Sequence, residues 1–203
     1  MTHASFPFTA LNPPRAVLLG GSAGASQPLR EILSGLGPAF PAPVVVVQHI
    51  HEKAGGMLAA NLDESLALPA LEVLDKMPAR PGHVYVAPPD YHLLVERRGT
   101  FALSVEEPVR WSRPSIDVFF QRAAQVWGRE LVAILLSGAN EDGAQGLAAV
   151  EQVGGTVIVQ APHSAQFPQM PMAALELGVG AAALTPEHIG TLLAGLQEGR
   201  EHV

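Results

Sequence analysis

The stretch Ala16-Val17-Leu18-Leu19-Gly20-Gly21-Ser22-Ala23-Gly24 decides the fold. Its first four residues are apolar without interruption, the pattern of a strand buried on both faces. Two glycines close the run. Ser26-Gln27-Pro28 then opens a helix, with Ser26 as the expected N-cap and Leu29, Ile32, Leu33 and Leu36 on one face. A buried strand that passes through glycines straight into a helix is the first half of a βαβ unit.

The same pattern recurs along the chain. Val44 to Val47 form a second apolar, β-branched strand, followed by a helical pattern over residues 55–66. Short strands at 71–74 and 83–87 flank the turn at 78–82. Residues 93–96 and 101–105, on either side of Arg97-Arg98-Gly99-Thr100, read as a β-hairpin. Residues 115–126 are helical, with Ile116, Phe119, Phe120, Ala123 and Ala124 on one face. An apolar run at 131–136 leads to a helix at 144–153 that ends at Gly154-Gly155, a C-cap signal. A strand at 156–160 and helices at 171–177 and 186–196 complete the series. Alternating buried strands and helices predict a three-layer α/β/α domain. Its sheet is mostly parallel, doubly wound and Rossmann-like, with one β-hairpin.

With 203 residues, the chain fits one domain over 16–197, a mobile leader over 1–15 that ends at Pro13-Pro14, and a tail over 198–203. The net charge of −7 argues against nucleic acid, which needs a dense basic face, and against a polybasic membrane anchor. No Cys is present, so there is no thiolate chemistry. No signal peptide and no apolar run of about 18 residues is found, so a cytoplasmic location without membrane insertion is expected, with a monomer favoured.

Reactive residues gather where strands end, and in parallel sheets the loops at those ends build the site. Ser22 lies between glycines at the end of the first strand, a setting for a nucleophile or for a plain strand–helix turn. His49 follows the four valines and opens onto the same edge, where it can serve as a general base. Asp142 ends the third such loop. Its position suits a carboxylate that orients His49, or an N-cap of the following helix, and Glu141 is the rival acid. His49 and His51 flank a single residue, but no further ligand at zinc spacing follows. The glycines do not fit a nucleotide-binding fingerprint either.

The order Ser22, His49, Asp142 is not that of the α/β-hydrolases. Around it stand Val84-Tyr85-Val86-Ala87-Pro88-Pro89, His92, Arg113-Pro114-Ser115-Ile116-Asp117, Leu136-Ser137-Gly138, Asp142-Gly143-Ala144, Gln160 and Met170-Pro171. In that joint order the chain resembles the catalytic domain of chemotaxis protein-glutamate methylesterases, the CheB type, over residues 15–197. The resemblance implies a serine esterase that releases methanol from glutamyl methyl esters of methylated chemoreceptors, with deamidation of receptor glutamines as a companion activity. It implies Ser22 as nucleophile, His49 as base and acid, Asp142 as orienting carboxylate, and no metal or organic cofactor. Arg113, His92 and Met170 become the candidates for contacting substrate. Arg113 is alternatively a brace of the Asp142 loop.

The chain also departs from the family pattern. Ser22-Ala23-Gly24-Ala25 stands where Ser-Thr-Gly-Gly is usual, so a hydroxyl that could assist the oxyanion is missing. Gly138-Ala139-Asn140 replaces Gly-Met-Gly, and Gln169 replaces a Gly before Met-Pro. The backbone N–H groups of Ala23 and Ala139 are then the candidates for the oxyanion hole. No receiver domain is read in the sequence, which suggests a freestanding member or a fragment. A small-molecule carboxylesterase with the same residues, and a weakened chemosensory interaction module, are the rival readings.

Overall fold

The computed structural model describes residues 7–9, 12–49 and 57–197. The expected helix over 55–66 therefore begins outside the described residues, as does His51.

The opening apolar run is β1 (Ala16–Gly21), at the centre of a seven-stranded sheet. It is followed by α1 (Ser26–Leu33), β2 (Val44–Gln48), α2 (Met57–Ser65), β3 (Ala70–Glu72) and β4 (Val84–Val86). The hairpin β5 (His92–Val95) and β6 (Phe101–Ser104) stands apart as its own antiparallel pair. Then come α3 (Ile116–Trp127), β7 (Leu131–Leu135), α4 (Ala144–Gln152), β8 (Thr156–Gln160), α5 (Gln169–Glu176), β9 (Ala182–Leu184) and α6 (Pro186–Ala194). The strand order is β3-β4-β2-β1-β7-β8-β9, and every pairing is parallel.

Alternation of side chains divides the core into two layers. Ala16, Leu18, Val45, Val47, Ala133 and Leu135 face α3, α4 and α5, where Phe119, Phe120, Leu147 and Ala174 are buried. Val17, Leu19, Val44, Val46, Val132 and Ile134 face α1, α2 and α6, against Leu29, Ile32, Leu62, Ile189 and Leu193. Phe8, before the first strand, packs against this second layer.

Strand order determines where chemistry can occur. After β1 the chain moves to β2 on one side, and later returns to β7 on the other. The loops leaving β1, β2 and β7 therefore diverge around one crevice at the carboxyl edge of the sheet.

Two local readings are corrected by the structure. Ser26 does not cap α1. The N-cap position is Ala25, without a side-chain bond, and the Ser26 Oγ instead accepts from Gln48 Nε2 at 3.1 Å. Asp142 does not cap α4 either. The residue there is Gly143, at φ 97. Asp142 instead turns to the neighbouring helix start. Its Oδ1 accepts from Ser115 Oγ at 2.9 Å and Asp117 N–H at 3.1 Å, and its Oδ2 accepts from Ile116 N–H at 2.7 Å. Asp117 returns the exchange. Its Oδ1 accepts from Gly143 N–H at 2.9 Å and Gly146 N–H at 2.7 Å, at the start of α4. Each helix start has unpaired N–H groups and the positive end of a dipole, and each receives a carboxylate from the other's chain.

The exchange depends on the turn at Gly143. A Cβ there would meet the side chains of Leu135 and Ile116, and the left-handed backbone would strain any other residue. Gly143→Ala should therefore lower the free energy of unfolding by about 2 kcal/mol or more, from the sum of strain and overpacking. Urea unfolding checks this, and a change below about 0.5 kcal/mol, the ordinary scale of a neutral substitution, would contradict it.

Candidate active site

Ser22 leaves β1 under tight backbone control. Its N–H donates to the Ser137 carbonyl at 2.9 Å, and Leu136 N–H donates to the Gly20 carbonyl at 2.8 Å. Ser137 holds the next residue as well, since its hydroxyl donates to the Ala23 carbonyl at 2.8 Å. The loops after β1 and β7 are thus stitched together. Beneath them the buried Gln160 accepts from Ser137 N–H at 2.9 Å through Oε1, and its Nε2 donates to the Ser164 carbonyl. Gly138 and Met170 complete the brace, with Gly138 N–H donating to the Phe167 carbonyl and Met170 N–H to the Gly138 carbonyl, each at 3.0 Å.

His49 leaves β2 beside this loop, its N–H donating to the Gly21 carbonyl at 3.1 Å. Its ring bridges the other two residues. Nδ1 lies 3.2 Å from Ser22 Oγ, and Nε2 lies 2.8 Å from Asp142 Oδ2. The His49 side chain is 15% exposed and that of Asp142 is 0% exposed. Asp142 is acceptor-only when ionised, so it selects the imidazole with hydrogen on Nε2 and leaves Nδ1 free to accept the serine proton.

The charge on Asp142 is maintained against burial. Burial raises its pKa, but the His49 hydrogen bond and the N–H groups of Ile116 and Asp117 outweigh it and hold the carboxyl below the usual range. Asp117 shifts the other way. Burial raises it, and the nearby Asp142 charge adds to this, over the opposing N–H of Gly146 and the Arg110 guanidinium. Arg110 Nη1 donates to Asp117 Oδ2 at 2.8 Å, and its Nε lies 3.5 Å from Glu141 Oε1. Glu141, the rival acid, is exposed and faces Arg110, not His49.

Among the oxyanion candidates, no protein acceptor takes the N–H of Ala23 or Ala139 among the described residues. Of the three substrate-contact candidates, His92 and Met170 are buried and Arg113 is half-buried. His92 is 1% exposed. Its Nδ1 accepts from Ser115 N–H at 3.2 Å, which puts the ring hydrogen on Nε2, where it donates to the Glu107 carbonyl at 3.0 Å. Met170 is 0% exposed and packs under Gly138. Arg113 does not brace the Asp142 loop. Its Nη1 donates to the carbonyls of Val105 and Glu106, both at 3.1 Å. Among the described residues no group of three or more His, Asp or Glu is placed to hold a metal ion.

A carboxyl whose pKa is lower in the folded state than in the unfolded chain stabilises the fold above the unfolded value, about 4, and loses that contribution as pH falls through the folded value. Asp142 is such a group. Wild type should therefore lose stability between about pH 5 and pH 2 more steeply than Asp142→Asn. Urea unfolding across that range checks the sign, and equal slopes would contradict it.

Residues 17–193 match the family model described as CheB methylesterase. The crystal structure of the Thermotoga maritima CheB methylesterase catalytic domain superposes with a TM-score of 0.86 at 32% identity, covering 90% of this chain and 98% of that one. A Leptospira interrogans protein is 39% identical over 183 residues, which span 90% of this chain and 95% of that one. A Symbiobacterium thermophilum protein, named protein-glutamate methylesterase/protein-glutamine glutaminase, is 38% identical over 176 residues. That match spans 87% of this chain and 48% of the longer relative. With the family model matching residues 17–193, and a solved catalytic domain superposing over nine-tenths of the chain, the chain belongs to the CheB methylesterase family.

Proposed function

We propose that this chain is a serine esterase that hydrolyses glutamyl methyl esters of chemoreceptors to glutamate and methanol. The observation that supports this most is the continuous run from Ser22 Oγ through both nitrogens of His49 to the dry carboxylate of Asp142. In this reading Ser22 Oγ attacks the ester carbonyl while His49 Nδ1 takes its proton. Asp142 stabilises the imidazolium that forms. The tetrahedral oxyanion takes hydrogen bonds from Ala23 N–H and Ala139 N–H, fixed before the substrate arrives. His49 returns the proton to the leaving methoxide. The glutamyl ester on Ser22 is then hydrolysed by a water that His49 activates in the same way. An amide in place of the ester gives ammonia by the same steps, which is the glutaminase reaction in the names of the relatives.

Ala23 has no hydroxyl to add to the oxyanion hole, so the backbone donors carry that work alone. His92 and Met170 support the site from inside: one holds the start of α3 and the other the turn at Gly138. No helix among the described residues is long and apolar enough to cross a membrane, in keeping with an enzyme that meets the receptor from the cytoplasm.

Receptor carrying isotope-labelled methyl esters is the direct substrate. Wild type should release labelled methanol. Ser22→Ala and His49→Ala should each abolish the release, and the double variant should be no worse, because the groups act as a unit. Asp142→Asn should cost about 10⁴ in kcat by losing the correct imidazole tautomer. Methanol release by Ser22→Ala at the wild-type rate would overturn the reading.

A further inference from the structure

Two adjoining hollows lead away from the proposed oxyanion site. The first, of about 350 Å³, begins at Ala139 and runs between the loop at 139–141 and α5, past Gln169 and Met172. The second, of about 220 Å³, continues from the shared Glu141, Ala173 and Glu176 to Leu177 and Arg110. Together they form an open groove along α5 that starts at Ala139.

Beyond Arg110 stands Trp111, 99% exposed. The two residues form the tip of a tight turn closed by Val109 and Ser112, whose N–H groups and carbonyls pair at 3.1 and 2.9 Å. Both tip residues have positive φ, 48° for Arg110 and 64° for Trp111. Turns of this kind favour Asn and Gly, and two bulky residues there hold the backbone under strain. Arg110 pins the turn from inside through Asp117 and Glu141. The exposed indole gives the isolated chain no packing in return. Met172 and Leu177, 42% and 51% exposed, continue the apolar character along α5.

We infer that this groove takes up the polypeptide flanking the esterified glutamate, with Trp111 and Met172 as its apolar contacts; the inference rests on the methylesterase reading. The groove meets the proposed site at Ala139, so a chain whose ester carbonyl turns to the Ala139 N–H has its neighbours over α5. Exposed Trp and Met are the residue types that concentrate binding energy and adapt to a partner's shape. Glu141 and Glu176 line the walls, Glu141 beside Arg110, so a flanking segment without acidic side chains at these positions meets no repulsion there. A small ester needs none of these contacts.

The test uses the full chain with two substrates, receptor-bearing membranes with labelled methyl esters and p-nitrophenyl acetate. Trp111→Gly relieves the strained turn, so it should raise Tm by about 2 °C or more. It should also raise KM for the receptor about tenfold, the scale of a hot-spot contact, with kcat changed less than about twofold. Its turnover of p-nitrophenyl acetate should stay within about twofold of wild type, and Trp111→Phe should recover most of the receptor KM. An unchanged receptor KM in Trp111→Gly overturns the docking role alone. An equal fall on both substrates also overturns it, since it reports damage to the site. Wild type that cleaves p-nitrophenyl acetate but releases no methanol from receptor overturns the methylesterase reading and this inference with it.

Discussion

Asp142 has no exposure to solvent, yet each of its carboxylate oxygens accepts two hydrogen bonds. One donor is the His49 ring, and the other three are Ser115 Oγ and the N–H groups of Ile116 and Asp117 at the start of α3. A buried carboxylate is costly unless each lone pair is met, and removal of one partner costs more than the bond itself is worth. The side chain that orients the histidine is therefore the same one that fixes α3 to the loop after β7. The orientation of His49 and the fold cannot vary independently here.

The partner of that arrangement is Asp117, which gives α4 what Asp142 gives α3. Two carboxylates at adjacent helix starts would repel each other in a dry interior. Arg110 relieves this from the solvent side by pairing with Asp117, and the helix dipoles favour both charges. The consequence reaches the surface, because the Arg110 side chain that neutralises Asp117 also shapes the turn on which Trp111 is displayed. A line of polar contacts thus runs from Ser22 through His49, Asp142 and Asp117 to the rim of the groove.

Most of the sheet was legible in the sequence because β1, β2, β4, β7 and β8 are buried on both faces nearly throughout and so are almost wholly apolar. The exception, β9, reads Ala182-Ala183-Leu184 at the edge of the sheet, mostly exposed and without β-branched residues. Pairing with β8 makes it a strand, and its own residues carry no such signal. The places of Ser22, His49 and Asp142 were legible because each follows a strand into the crevice. That Asp142 faces His49 was legible too, but its bonds to the start of α3 were not, since a carboxylate before a helix ordinarily caps that helix. The partners of Arg113 and His92 were not legible for a related reason. Their motif is shared with the family, but what it maintains is the approach of chain 105–107 to the start of α3. Trp111, the contact inferred for the flanking polypeptide, lies in no motif. Its one sequence signal, a lone Trp between charged and polar residues, is too common to read.

The claim that one buried carboxylate sets both helix and histidine is tested most directly at the His49 ring. Nitrogen-15 NMR of the imidazole reports which nitrogen carries the hydrogen in the neutral form. The account predicts hydrogen on Nε2, facing Asp142, with Nδ1 unprotonated toward Ser22, and loss of that preference in Asp142→Asn. A neutral ring with hydrogen on Nδ1 in the wild-type protein would contradict it.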